Sequence, residues 1–263
     1  MSNNNMSAAD FIPVEQLKNY EAMKQFLTVR LVGQEDNKEM LATVPHKQLE
    51  DMAVIYYFDF GETPYGKAAL KITNPMLDLY GISIDQLHKD AVEQAAINHP
   101  VKVQNLSNFM LDKTGVFIAQ GPAQLYIATN DSAFHGAGVI TYPDFMDNVA
   151  KEMGGSFFVL PSSLHEVLLI ADRQDYLTPE ELKNMVTTIN AVEVDPKDRL
   201  TDNAYHYDAD AKIFEQATNY EKRVAERSGE KSSVLADLGS KQRECSARPP
   251  KEKTVHHKAD PSL

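Results

Sequence analysis

The stretch that decides the fold runs from 157 to 172: Phe157-Phe-Val-Leu-Pro-Ser-Ser-Leu-His-Glu-Val-Leu-Leu-Ile-Ala-Asp172. Two apolar runs, Phe157–Leu160 and Val167–Ala171, flank a short polar insert. Neither run alternates, and both are too short for a helix of ordinary length, so each reads as a strand buried on both faces. The short connection between them makes the pair antiparallel. The insert, residues 161–166, holds two hydroxyls, an imidazole and a carboxylate: Ser162, Ser163, His165 and Glu166.

Outward from this pair, residues 125–129 read as another strand, 130–138 as a turn-rich connection and 139–142 as its partner strand. Pro143 stands where a first-turn proline opens a helix, which runs to Met153 and stops at Gly154-Gly155. After the central pair, Thr178-Pro-Glu-Glu181 is a helix start, with Thr178 as cap and Glu181 completing a capping box. The resulting order is strand, strand, helix, strand, strand, helix. The expected fold is therefore α+β, with an antiparallel or mixed sheet and helices packed mainly on one side.

Toward the N-terminus, residues 1–24 are a polar segment and a helix start, with Leu17, Tyr20, Met23 and Phe26 spaced at threes and fours. Residues 28–31 read as a strand, and Val44-Pro45 breaks the chain. Residues 53–60 and 67–73 read as a hairpin around the turn-rich loop 61–66. Asn74-Pro75 opens a short helix that Gly81 ends, and Ser83 caps a longer one to about Asn98. Val101 and Val103 suit a strand, and Leu106, Phe109 and Met110 a helical turn. Residues 205–207 with Ile213 read as a small hairpin, and 216–227 as a solvated helix. Residues 25–215 thus form one α+β domain, its two antiparallel portions joined through 74–123. From Ser228 to the end, Gly, Ser, Lys and Pro dominate and the composition favours disorder.

Composition narrows the functional classes. Hydrophobic residues make up 43% and charged residues 24% of the 263-residue chain, values typical of a globular protein. The net charge of −12 disfavours nucleic acid as a partner of the folded body. The tail is distinct: it carries seven Lys/Arg against five Asp/Glu. Within it, Ser233, Val234, Leu235 and Leu238 form an apolar island suited to docking on a protein partner. The lone Cys245 excludes an internal disulfide framework. No apolar run spans a membrane and no secretory signal opens the chain, so the expected location is cytoplasmic.

The insert is the main candidate for chemistry. A nucleophilic hydroxyl needs a base within reach and a carboxylate to orient that base. The residue types are present, but Ser163 and His165 alternate away from Glu166, and no Gly-x-Ser-x-Gly elbow exposes either serine. The structural reading is a tight connection in which the serines bond backbone groups. His165-Glu166 is half a zincin motif, but position 169 is Leu169, so the motif fails. Asp208-Ala-Asp210 lacks the rest of a calcium loop and reads as a turn. Tyr56, Tyr57 and Phe58 read as core. His46, His88, His99, His135 and His206 show no ligand spacing. No cofactor and no metal is called for.

Four blocks carry a family resemblance: Val44-Pro-His46 with Leu49 and 53–56; Asn74, Leu77, Leu79, Gly81-Ile-Ser83 and Leu87; 160–167; and 180–190. Together they resemble a bacterial domain-of-unknown-function family, number 5688, carried on integrative mobile elements. The resemblance covers roughly 25–215 and implies an intracellular α+β protein, with no functional residue to carry over. Two functions follow as expectations. One is a non-catalytic accessory or protein-binding role. The alternative is a small serine-dependent hydrolase using Ser163 and His165.

Overall fold

The structure, a computed structural model, describes residues 13–63, 66–117, 124–161, 163–173 and 177–227. The chain separates into two compact units, Met1–Tyr220 and Glu221–Leu263. In the second, residues 221–227 are helical, and the tail from Ser228 lies outside the described residues.

The first unit is α+β, built on two antiparallel sheets. The first sheet contains β1 (Leu27–Gly33), β2 (His46–Leu49), β3 (Met52–Thr63) and β4 (Gly66–Lys71). The long β3 pairs with β1 along one edge; on the other, β2 and β4 lie end to end. The second sheet contains β5 (Val101–Asn105), β6 (Leu125–Asn130), β7 (Phe157–Leu160), β8 (Val167–Ala171), β9 (Tyr205–Asp208) and β10 (Ile213–Gln216), in the order β10-β9-β7-β8-β6-β5. The two decisive runs are adjacent central strands, with Phe158 opposite Ile170.

The helices are α1 (Val14–Leu17), α2 (Tyr20–Met23), α3 (Lys38–Leu41), α4 (Asn74–Tyr80), α5 (Ile84–Asn98), α6 (Leu106–Thr114), α7 (Phe145–Met153) and α8 (Pro179–Val192). Their ends follow local chemistry. Ser83 Oγ accepts from the Gln86 N–H, and Thr178 and Glu181 form the reciprocal capping box. Gly81 and Gly154 take the left-handed conformation that closes α4 and α7.

Side-chain parity explains why β7 and β8 are apolar throughout. Phe157, Val159, Val167 and Leu169 face the main core, shared with β1, β3, α5 and α7. Phe158, Leu160, Leu168 and Ile170 face a second cluster with Leu182 and Val186 of α8 and with Leu106 and Phe109. Both faces of these strands are covered, so no polar alternation is selected. The first sheet divides likewise. Leu27, Val29, Leu31, Val54, Tyr56 and Phe58 enter the main core, while Ala53, Ile55 and Tyr57 join Leu41 and Val44. A buried carboxylate, Asp90 on α5, anchors the N-terminal segment by accepting from the Tyr20 hydroxyl at 2.8 Å and pairing with Lys24 at 2.7 Å.

Three segments depart from the sequence-based expectations. Residues 139–142 are not a strand: Gly136–Thr141 is a 3-10 helix. The edges of β6 are already taken by β5 and β8, and the small Gly136 and Gly138 let this segment press against other backbones instead. His46–Leu49, placed at a chain break, forms a short strand on β3. The expected hairpin forms as β9–β10 but extends through Gln216, so the helix expected from 216 starts at 217. Among the described residues, no helix is long and apolar enough to cross a membrane.

Candidate functional site

The polar insert is a cross-linked turn. Ser163 is buried; its hydroxyl donates to Glu166 Oε1 at 2.7 Å and accepts from the His165 N–H at 3.0 Å. The second contact is the local turn in which a serine caps the backbone two residues on. His165 Nδ1 accepts from the His135 N–H at 3.2 Å, which assigns the ring proton to Nε2, 3.9 Å from Asp198 Oδ1. The His165 carbonyl accepts from Thr129 Oγ1 at 2.7 Å, and the Leu164 N–H donates to the Asp198 carbonyl at 2.8 Å. Ser163 is thus joined to Glu166, and the His165 ring is joined elsewhere. Ser162, and the tail residues Ser233, Val234, Leu235 and Leu238, lie outside the described residues.

His135, which bonds to the insert, also lines a recess that no local pattern in the sequence reveals. A cavity of about 180 Å³ is lined by Thr28, Val29 and Arg30 of β1, Asp59, Gly61 and Glu62 of β3, Lys67 of β4, His99, and residues of the 130–135 loop. Strand alternation accounts for Arg30: with Leu27, Val29 and Leu31 in the main core, the even-numbered positions of β1 point to the other face. There the Arg30 guanidinium lies 3.9 Å from the Tyr57 ring centroid and 5.7 Å from that of Phe134. Lys67 Nζ lies 4.5 Å from the Phe134 centroid. Such cation–ring contacts contribute about 0.5–1 kcal/mol at exposed sites and more when desolvated.

Asp59 and His99 of the lining are partnered. His99 Nε2 lies 3.4 Å from Asp59, and Nδ1 lies 3.6 Å from Asp131. The hydrogen bond to Asp59 raises the His99 pKa above the ordinary histidine value, and burial opposes it. The same partner lowers Asp59, with help from the Gly61 N–H that donates to it at 2.8 Å. Among the described residues, no carboxylate oxygen lies within 4.0 Å of the nitrogens of Arg30 or Lys67. Burial lowers the Arg30 pKa, against the pull of Tyr57 and Asp59. A guanidinium nonetheless stays charged in proteins.

His135 closes the recess. Its backbone is left-handed, φ 51°, as is that of Ala133, φ 50°. Its Nδ1 is buried with no hydrogen-bond partner. Burial, then the fields of Arg30, His165 and Lys67, push its pKa down to about 3. The linkage is therefore acid-destabilising. Between about pH 6.5 and the folded value, an unfolded chain takes up a proton that the native side chain refuses. His135→Asn keeps a residue that tolerates left-handed backbone. It is expected to flatten the fall of the melting temperature between pH 6.5 and 4, measured beside the wild type by thermal denaturation.

Two other sequence candidates are accounted for locally. The Asp208 carboxylate accepts from the N–H groups of Asp210 and Ala211, at 3.1 and 2.9 Å, which makes it a turn cap. His206, fully buried, pairs with Asp172 at 3.0 Å and stacks on Tyr220. No cluster of three or more His, Cys, Asp or Glu among the described residues is arranged to hold a metal ion. Tyr57 departs from the expectation of a purely core aromatic, because the β1–β3–β4 register brings Arg30 and Lys71 to its ring. The signal in the sequence was a lone arginine interrupting an apolar strand, Leu27-Thr-Val-Arg-Leu-Val32.

No curated protein and no solved structure was found that matches this chain. A family of unknown function, DUF5688, matches residues 1–209, most of the first unit and well over half of the sequence. On that match, the chain belongs to the DUF5688 family.

Proposed function

We propose that this protein is a non-catalytic accessory protein that works by binding. The observation that carries the reading is the Ser163 hydroxyl, which donates to Glu166 and accepts from the His165 N–H. A Ser–His nucleophile needs its hydroxyl proton directed at the imidazole, and here the Glu166 carboxylate inside the turn takes it. The His165 nitrogen that could serve as base accepts a backbone N–H instead. The acidic composition supports a partner other than nucleic acid. The tail island of Ser233, Val234, Leu235 and Leu238 is the proposed protein-docking segment. The bacterial, intracellular and mobile-element setting is part of this proposal and rests on the family resemblance alone.

The test uses the full-length chain and Ser163→Ala with a fluorophosphonate probe and a panel of short-chain nitrophenyl esters. The expected outcome is no labelling and no hydrolysis that depends on Ser163. The variant is expected to lose about 1 kcal/mol of stability, the worth of a hydrogen bond in a tight turn. Labelling of the wild type that vanishes in Ser163→Ala would restore the hydrolase reading.

A further inference from the structure

We propose that the recess between β1, β4 and the 130–135 loop is a binding site for a small oxyanion, a carboxylate- or phosphate-bearing metabolite, gripped by Arg30 and Lys67. The inference deepens the binding reading above by naming a ligand class for the folded unit.

Four observations support it. The first is an imbalance. The chain has 38 acidic against 26 basic residues, so an acid partner for any given cation is easy to supply. Yet among the described residues, neither Arg30 nor Lys67 has a carboxylate within ion-pair distance. Leaving a half-buried guanidinium unpaired is costly, and the cost is offset when a ligand completes the pair. The second is geometry. The Arg30 guanidinium carbon lies over the Tyr57 ring, 3.9 Å from its centroid, a contact that restrains the donor fork before any ligand arrives. A planar, pre-set fork matches the two oxygens of a carboxylate or phosphate, and the lysine adds a point charge.

The third is the lining. Phe134, 38% exposed, stands beside both cations and offers an apolar face to the rest of a ligand. The fourth is space: about 180 Å³ holds several waters at roughly 30 Å³ each, or one small oxyanion. Two carboxylates share the lining. Asp59 is bound to His99 and the Gly61 N–H, and Glu62 is an exposed side chain at the rim. Asp59 is thus engaged by His99 and Gly61, and Arg30 and Lys67 supply the cationic side of the recess.

The experiment is titration calorimetry of the full-length chain at constant ionic strength, with pyrophosphate, citrate and, as control, sodium chloride. Saturable one-to-one binding of pyrophosphate or citrate, with none for chloride, is the expected result. Whichever probe binds more tightly identifies phosphate or carboxylate as the preferred chemistry. Arg30→Gln and Lys67→Gln are each expected to weaken binding tenfold or more, and Arg30→Lys by less than Arg30→Gln. Lys67 is exposed on β4, so Lys67→Gln decides the matter alone if Arg30→Gln does not fold. The inference is overturned if neither probe binds saturably, or if Lys67→Gln binds as the wild type does. Neither result bears on Ser163-dependent hydrolysis, so the two readings fail separately.

Discussion

Gly136→Ala is expected to cost about 3 kcal/mol or more of folding stability, read as a lower urea midpoint with the slope unchanged. A Cβ there would sit 2.0 Å from Thr129 Oγ1, 2.4 Å from the His165 carbonyl oxygen and 2.8 Å from the Asn130 nitrogen. Two of these three atoms are backbone, and a backbone atom cannot swing aside as a long side chain can. The third takes part in the 2.7 Å Thr129–His165 hydrogen bond. The methyl group must therefore separate β6 from the polar insert or break their cross-link. Gly138→Ala is the internal control. Its Cβ would meet the Val29 carbonyl oxygen at 3.2 Å, which a few tenths of an ångström relieve, so its cost stays near 1 kcal/mol. Equal losses in the two variants would contradict this account of the contact.

The second large effect belongs to Asp51, at the turn into β3. Its carboxylate accepts from Thr201 Oγ1 at 2.7 Å, from Asn203 Nδ2 at 2.9 Å and from the Tyr205 hydroxyl. It thereby ties the first sheet to the segment that enters β9 of the second. Asp51→Ala takes the acceptor from these three donors and from Gln216 Nε2 at 3.4 Å, one of the four on a fully buried tyrosine, and is expected to cost about 2–4 kcal/mol. Burial acts to raise the Asp51 pKa, but the bonds from Tyr205, Thr201 and Asn203 outweigh it and the net shift is downward. Its contribution is therefore full above the unfolded carboxylate value of about 3.9 and is lost as pH falls through the lower folded value. Denaturant titrations of wild type and Asp51→Asn should show a gap that is wide at pH 7 and narrows toward pH 3. A gap independent of pH would mean that the carboxylate's charge plays no part.

These two residues also show where local reading stops. Asp51 has no partner within reach along the chain; Thr201 and Tyr205 lie some 150 positions away. Gly136 sits in a Gly-Ala-Gly run, and the same small residues that suggest a turn also let three backbones converge. The neighbouring residues 139–142 look like a strand in isolation, because β-branched and aromatic side chains suit one. Residues 139–141 are instead wound into a 3-10 helix because the edges of β6 are already occupied.

Periodicity, caps and turn chemistry were enough, from the sequence by itself, to determine the α+β class, the adjacent strands Phe157–Leu160 and Val167–Ala171, the β3–β4 hairpin, and the starts of α5 and α8. These depend on contacts between near neighbours, which the order of residues specifies directly. Only the tertiary structure decided that the Ser163 hydroxyl donates to Glu166 and not to the His165 ring, and that Arg30 meets Tyr57, Phe134 and the cavity shared with Lys67. The direction of a side chain inside a tight turn, and the pairing of a β1 face with a loop a hundred residues later, depend on sheet register and on where distant backbones close. No local pattern of residues encodes either.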